Sequence, residues 1–346
     1  MYAAWYDRQG LAAEVLQVDE LPDPHPGPGE VRVRLRYSGV NPGDTKKRRG
    51  WLGSTMPFPR VVPHSDGAGT VDEVGEGVDP DRSGQRVWVY GAQSYRAFGT
   101  AAQYTVVPDQ LAVPLPEEVD DETGACLGIA GITAHRAVFA DGPVEGAMVL
   151  VHGALGAVGS IAGQLAAWGG ATVIPTVRRT DDLGLLPAAL ARRAVALDVP
   201  DPVAAVRAHA PDGIDRIIEV SFSDNVDLDA AVARNGAVIA AYATRDDRPD
   251  FPFWPMLFDN LTLRLLGSDD FPTKAKQQAA RDLTEAARTG DLIITRADPL
   301  PLEQTAAAHD QVDADNRRRV LLAMLDEPRR TQPHGPRPSR VFQPRS

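Results

Sequence analysis

The sequence predicts an α/β chain in two parts, a compact β-rich unit followed by a doubly wound parallel sheet. Three observations predict it. In VRVRLRYSGV, Val31, Val33, Leu35 and Tyr37 alternate with Arg32, Arg34, Arg36 and Ser38, the period-two rhythm of a strand with one face buried. From about Gly124 the rhythm changes to apolar runs separated by alanine-rich stretches of helical length, which implies parallel strands covered by helices on both faces. Between the first two such runs, MVLVHGALGAVGSIAGQLA passes from a β-branched run through a glycine turn into a helix.

Size and charge narrow the function classes. A chain of 346 residues with 43% hydrophobic content is long enough for two cores. The formal charge of −11 argues against an extended nucleic-acid footprint and against anionic membranes, so a small-molecule partner is expected. Cys126 is the only cysteine, which excludes an internal disulfide and a multi-cysteine metal cluster and points to a reducing compartment. The start, MYAAWYDRQG, lacks a basic region followed by an apolar core. The weakly polar region Met148–Val177 is broken by His152, Gln164 and many glycines, so it reads as a buried strand, turn and helix. A cytoplasmic protein is the expectation.

Along the first part, Gly67, Gly69, Gly75 and Gly77 punctuate strand-like segments, and RVWVY and QYTVVP add further strands. LAVPLPEEV reads as the crossing to the second part. There MVLVH, ATVIPTV, AVALDV, IDRIIEV and GAVIAAY are strand candidates, and LTLRLLGS is a further candidate for an edge strand that needs a cover or partner, so a homodimer is expected. After Met324 the chain turns proline- and arginine-rich, and residues 327–346 read as a flexible tail.

The glycine turn is the strongest chemical signal. Gly153, Gly156 and Gly159 allow a pyrophosphate to meet the backbone N–H groups at a helix start, where the helix dipole favours negative charge. Leu155, Ala157 and Val158 complete that loop. Ala154 stands at the first glycine position of the usual fingerprint. The next strand ends in Thr176, Arg178 and Arg179 before Asp181 and Asp182. Arginines there suit a ribose 2′-phosphate and favour NADPH, whereas Asp181 folded back onto the ribose would favour NADH.

Over roughly positions 1 to 325, PGPGEVRVRLRYSGVNPGDTKKR, PRVVPHSDGAGTVDEVGEGV and VHGALGAVG together resemble the zinc-independent medium-chain dehydrogenase/reductases, specifically the zeta-crystallin-like quinone oxidoreductases. The resemblance implies a GroES-like catalytic domain over 1–123 and 269–326 and a Rossmann NADPH-binding domain over 124–268. It places Asn41, Ser65 and Gly128 or Ile129 where zinc relatives carry ligands, so metal-free hydride transfer to a quinone or related conjugated carbonyl is implied. His64, beside the expected ligand position, reads as structural or cleft-lining. Asn41 and Thr133 are implied beside the nicotinamide, Asn41 orienting the acceptor carbonyl. Lys46 stands where many relatives have tyrosine and is the candidate stabiliser of a developing oxyanion, or part of a solvated basic turn with Lys47, Arg48 and Arg49. Ser221, Asn225, Tyr242, Ala243, Thr244, Ser268, Asp269, Asp270 and Arg319 are implied around the cofactor. Trp51, Trp88, Tyr90 and Tyr95 read either as walls of an acceptor site or as core, and Cys126 as packing. A stand-alone enoyl reductase and a non-catalytic NADPH-binding protein remain as alternatives.

Overall fold

A computed structural model describes residues 1–314 and 317–324; the tail expected at 327–346 lies outside them. The alternation in the first strands sets the first sheet. Strands β1 (Tyr2–Trp5) and β2 (Gln17–Glu20) form an antiparallel pair, followed by β3 (Glu30–Val40), β4 (Asp66–Val74), β5 (Arg86–Val89), β6 (Tyr104–Pro108) and β7 (Ala112–Pro114). In β3, Val31, Val33 and Leu35 are buried, while Arg34 and Arg36 face solvent and Arg32 makes a two-pronged contact with Asp72 at 3.0 Å. Beyond Tyr37 the alternation fails: Ser38, Gly39 and Val40 are all buried, because this end of the strand runs beneath the crossing segment. A Cβ at Gly39 would stand 2.3 Å from the Ala125 carbonyl oxygen, so only glycine fits that approach.

The second part holds strands β8 (Met148–Val151), β9 (Thr172–Val177), β10 (Val195–Ala196), β11 (Ile214–Glu219), β12 (Ala233–Ala241) and β13 (Thr262–Leu265). They form one parallel sheet in the order β10-β9-β8-β11-β12-β13, and the order reverses between β8 and β11. That is the doubly wound arrangement in which ligands bind outside the carboxyl ends of the strands at the reversal. Val149, Leu150, Ile217 and Ile218 are fully buried, as both covered faces of such a sheet require. One connection departs from expectation. Between β9 and β10 the alanine-rich stretch makes a 3₁₀ segment, Thr180–Leu185, and a single helical turn, Ala188–Ala191, because Gly184 and Pro187 interrupt any longer helix.

The chain then returns. Helix Thr273–Thr289 buries Ala279, Ala280, Leu283 and Ala286 and packs Leu283 against Gly131 of helix Ile129–Phe139. Strands β14 (Leu300–Pro301) and β15 (Val320–Ala323) rejoin the first sheet, β15 running antiparallel to β3. A single apolar cluster, including Trp88, Leu127, Ile132, Val149, Ile161 and Leu283, joins the two sheets through these helices. Among the described residues, no helix is long and apolar enough to cross a membrane.

Trp88 is fully buried and donates its indole N–H to Thr284 Oγ1 at 3.0 Å, so it is core and not an acceptor wall. Trp88→Ala is expected to cost about 3–5 kcal/mol, measured by denaturant unfolding, with Trp88→Phe losing less.

Candidate active site

At the sheet reversal, β8 is followed by His152, which enters the glycine turn. Gly153 has φ +62, the left-handed region that glycine tolerates, and its carbonyl accepts from Gly156 N at 2.8 Å. Gly156 caps helix Ala157–Trp168, and a Cβ at Gly159 would stand 2.3 Å from the Gly153 carbonyl oxygen. The turn therefore folds tightly onto the helix start. The first-turn N–H groups of a helix have no acceptor within it, so the turn is a cradle for an anionic group. The residues fit the pyrophosphate of a nicotinamide dinucleotide.

Around this cradle lie the other residues expected at the cofactor. Thr176 is the penultimate residue of β9, and Ala154 N donates to its carbonyl at 3.1 Å. Arg178 and Arg179 follow, both exposed. Asp182, next along, is paired with Arg317, which with Arg179 and Arg178 holds its carboxyl below the usual range. Segments 221–225 and 242–244 are brought together: Phe222 N donates to Ala243 O at 3.2 Å and Ser223 N to Thr244 Oγ1 at 3.3 Å. Ser221 Oγ donates to Asp224, and Asn225 Nδ2 donates to both Glu219 oxygens at 3.1 Å.

A group not anticipated from sequence sits beneath the turn. The His152 Nδ1 is 2.9 Å from Thr176 Oγ1, and its Nε2 is 2.9 Å from Asp229 Oδ1 and 3.6 Å from Glu219 Oε2. His152, Glu219 and Asp229 are all fully buried. Burial pushes the Glu219 carboxyl up to about 7, while the carboxylates of Asp229 and Glu219 outweigh burial and raise the His152 imidazole. The readable signal was a polar residue closing an apolar strand, His152 after MVLV and Glu219 after IDRII.

The second half of the site lies on the β-rich side. Asn41 starts helix Pro42–Arg49, its N–H donating to Asp44 Oδ2 at 2.7 Å. Its side chain is held from both ends: Nδ2 donates to Asp66 Oδ2 at 2.7 Å and Oδ1 accepts from Arg319 Nη1 at 2.9 Å. Asp66 also accepts from Ile129 N at 2.8 Å and lies 3.7 Å from Arg319 Nη2. Burial lifts Asp66 to about 6 against the pull of Arg319, and lifts Asp44 to about 7. Arg319, expected to approach the cofactor from the C-terminal segment, is 5% exposed and lies under Asn41. Thr133 spends its proton on Ile129 O at 2.7 Å.

Lys46 Nζ stacks 4.5 Å from the centroid of the half-exposed Trp51, and burial with Arg49 lowers its pKa. The Asp269 and Asp270 side chains turn to the other side of the cleft: Ser94 Oγ donates to Asp269 at 2.5 Å, Tyr95 OH to Asp270 at 2.7 Å, and Lys47 Nζ lies 3.7 Å from Asp269. Their neighbour Ser268 opens this short 3₁₀ turn. Tyr90 is buried and Tyr95 exposed, so the four aromatics divide between core and cleft. Cys126 is buried, and burial raises its thiol.

His64 is structural, with a defined proton pattern. Arg48 Nε donates to His309 Nδ1 at 3.2 Å, and a guanidinium cannot accept, so His309 carries its proton on Nε2. That proton points at His64 Nε2, 2.9 Å away, which leaves His64 Nδ1–H to donate to Ser38 Oγ at 2.9 Å. Ser38 then donates to Thr100 Oγ1 at 2.8 Å and Thr100 to the Asp66 carbonyl at 2.6 Å. The directed chain ties helix Pro42–Arg49 to Asp66.

Known proteins share this fold. The Alcohol dehydrogenase GroES-like domain profile matches residues 27–117. The Quinone oxidoreductase of Rattus norvegicus is 29% identical over 304 residues, covering 86% of this chain and 90% of its own. Among solved structures, a NAD-dependent alcohol dehydrogenase superposes with TM-score 0.81 at 26% identity over 93% of this chain and 99% of its own. A mycobacterial protein complexed with NADPH superposes with TM-score 0.79 at 25% identity over 94% and 100%. A β-rich GroES-like unit joined to a six-stranded doubly wound sheet, with a glycine cradle at the reversal, is the architecture of the medium-chain dehydrogenase/reductases, and the chain has that fold. Within that fold, its sequence is similar to the quinone oxidoreductases.

Burial holds His64 near a pKa of about 3 and His309 well below its usual value. Both bind fewer protons folded than unfolded, so their contribution to stability falls as pH drops below the unfolded value of about 6.5. The raised carboxylates of Asp44, Asp66 and Glu219 act oppositely over about pH 7 to 4, so the difference between proteins is the readout. For His309→Gln, unfolding free energy measured from about pH 7 to 4 should lose less on acidification than wild type, the gap changing by at most about 1.4 kcal/mol per pH unit.

Proposed function

We propose that this chain is an NADPH-dependent reductase of quinones or related conjugated carbonyls, acting by metal-free hydride transfer in the cytoplasm. The observation that carries the reading is the site's two-part build: a dinucleotide cradle whose adenosine-side strand ends in exposed Arg178 and Arg179, opposite a polar centre made of Asn41, Asp66 and Arg319. Asp182, the acidic residue that buries itself nearby, pairs with Arg317, and the exposed Arg178 and Arg179 are the cations of the kind that a ribose 2′-phosphate takes. A guanidinium is permanently positive, so Arg319 makes the Asn41 centre a poor place for a cation and favours reduction of an acceptor that is already electron-poor.

A nicotinamide held at the cradle would supply the hydride. Asn41, clamped by Asp66 and Arg319, has one amide proton left to orient the acceptor carbonyl. Thr133 and the segments at Ser221–Asn225, Tyr242–Thr244 and Ser268–Asp270 frame the cofactor. Lys46, on the face of Trp51, donates a proton to the acceptor oxygen as the hydride arrives and regains it from water. The balance is two electrons and two protons to the acceptor, one proton arriving as hydride.

The test follows NADPH absorbance with an ortho-quinone, a para-quinone and an enal, with NADH in parallel. Turnover of a quinone is expected, with NADPH preferred; turnover of the enal alone transfers the assignment to an enoyl reductase, and no turnover with any acceptor overturns the reductase reading. Replacing Arg178 and Arg179 by alanine should weaken NADPH by about tenfold or more while leaving NADH near its wild-type affinity. Equal weakening of both sinks the phosphate assignment.

We also propose a homodimer through β13. That strand is paired on one side only, and beside it Phe253, Trp254, Phe258 and Leu265 are 52%, 64%, 71% and 74% exposed. An apolar patch beside an open strand edge calls for a cover. Sedimentation should show a dimer for the wild type and a monomer for Trp254→Asp with Phe258→Asp; a monomeric wild type refutes it.

A further inference from the structure

We propose that His152, Asp229 and Glu219 form a buried positioning network for the dinucleotide, which sets its affinity by holding three separate segments of the cradle in one register and by governing the charge beneath it. The inference rests on the reading of the glycine turn as a dinucleotide site.

The geometry is unusual for packing alone. His152 is the residue before the left-handed Gly153, so any shift of its backbone moves the turn. Through Nδ1 it holds Thr176 at the end of β9, and through Nε2 it meets Asp229 of helix Phe222–Val232. Glu219 closes β11 and accepts from Ser221 N and Asn225 Nδ2, the segment that faces the cradle from the other side of the reversal. One imidazole and two carboxylates thus tie β8, β9, β11 and the following helix together at the point where the strand order turns.

The charges must balance inside. A His152 ring nitrogen and carboxylate oxygens of Asp229 and Glu219 lie within 4.8 Å of one another and are buried, so two ionised carboxylates and one imidazolium leave a net charge of about −1, which one further proton on the cluster cancels. Among the described residues Asp229 Oδ2 is buried without a hydrogen-bond partner, so the cluster holds one more acceptor than it has donors to fill. The groups facing Glu219 are His152 from β8, Asp229 and Asn225 from the following helix, and Tyr242 from beyond β12, whose phenol Glu219 pushes further up. Thr176 faces His152 from β9. Burial puts the Glu219 proton near pH 7, so neutralisation and ionisation are both within the working range. Ionisation places a negative charge under a site that must take up a pyrophosphate. The network therefore favours the anionic ligand in its protonated form and opposes it in its ionised form.

The experiment is NADPH binding by fluorescence titration from about pH 6 to about pH 8 on wild type, Glu219→Gln, Asp229→Asn and His152→Ala, with thermal unfolding of each recorded alongside. Comparing each variant with wild type at the same pH cancels the titration of the 2′-phosphate. Glu219→Gln keeps the acceptor for Ser221 and Asn225 but cannot ionise. Wild-type affinity should fall relative to Glu219→Gln by about three- to tenfold across the range, and His152→Ala should bind about tenfold more weakly than wild type at the lower pH. A residue that only packs lowers the unfolding temperature without changing that pH slope. A constant ratio of wild type to Glu219→Gln across the range overturns the proposal, even where His152→Ala fails to fold. A stoichiometric divalent ion retained by wild type and lost in Asp229→Asn overturns it in favour of a metal site. A wild type that binds neither NADPH nor NADH refutes the dinucleotide reading itself, whereas tight wild-type binding with indifferent variants refutes the network alone.

Discussion

Burying charge constrains this molecule more than any other requirement. A carboxylate taken out of water costs several kcal/mol unless hydrogen bonds or an opposite charge replace its hydration, so each buried acid dictates where its partners stand. Asp66 is fully buried, and its oxygens fix Asn41, the start of helix Ile129–Phe139 and Arg319 at one point. Glu219 and Asp229, equally buried, fix His152, Ser221 and Asn225 at another. One cluster organises the β-rich half of the site and the other organises the dinucleotide half.

Both clusters draw on distant parts of the chain. Arg319 arrives with β15, the strand that returns to the first sheet after helix Thr273–Thr289 has packed against Gly131. Asp44 and Arg48 sit on the helix that Asn41 begins, and the directed hydrogen bonds from Arg48 through His309, His64, Ser38 and Thr100 end at the Asp66 carbonyl. That chain conducts no proton, because it starts at a guanidinium and finishes at a backbone carbonyl. It holds position, tying helix Thr305–Asp313 to the Asn41 side of the cleft.

The glycine turn was legible because its physics is local: a left-handed residue, a helix start and small side chains must follow one another in sequence. The strands were legible for the same reason, through alternation in β3 and continuous apolar runs in β8, β9 and β11. Misreadings came where local pattern meets competing local chemistry, as in the stretch after Arg179, where Gly184 and Pro187 defeat the helix that alanine content suggests. Trp88 and Tyr95 look alike as aromatics beside strand ends, yet one is enclosed by two sheets and the other reaches Asp270 across the cleft. The carboxylates of Asp269 and Asp270, which the resemblance implies around the cofactor, accept from Ser94 and Tyr95, contacts no local pattern announces.

By itself the sequence determined the class of fold, the place of the dinucleotide turn and the two exposed arginines beyond it, since each is written in contiguous residues whose spacing obeys a strand or helix period. Only the tertiary structure decided that His152 meets Asp229 and Glu219, and that Arg319 lies beneath Asn41. Those partners are separated by tens to hundreds of residues, and what selects them is the need to neutralise charge in a space from which water has been excluded, a condition that exists only once both sheets have closed.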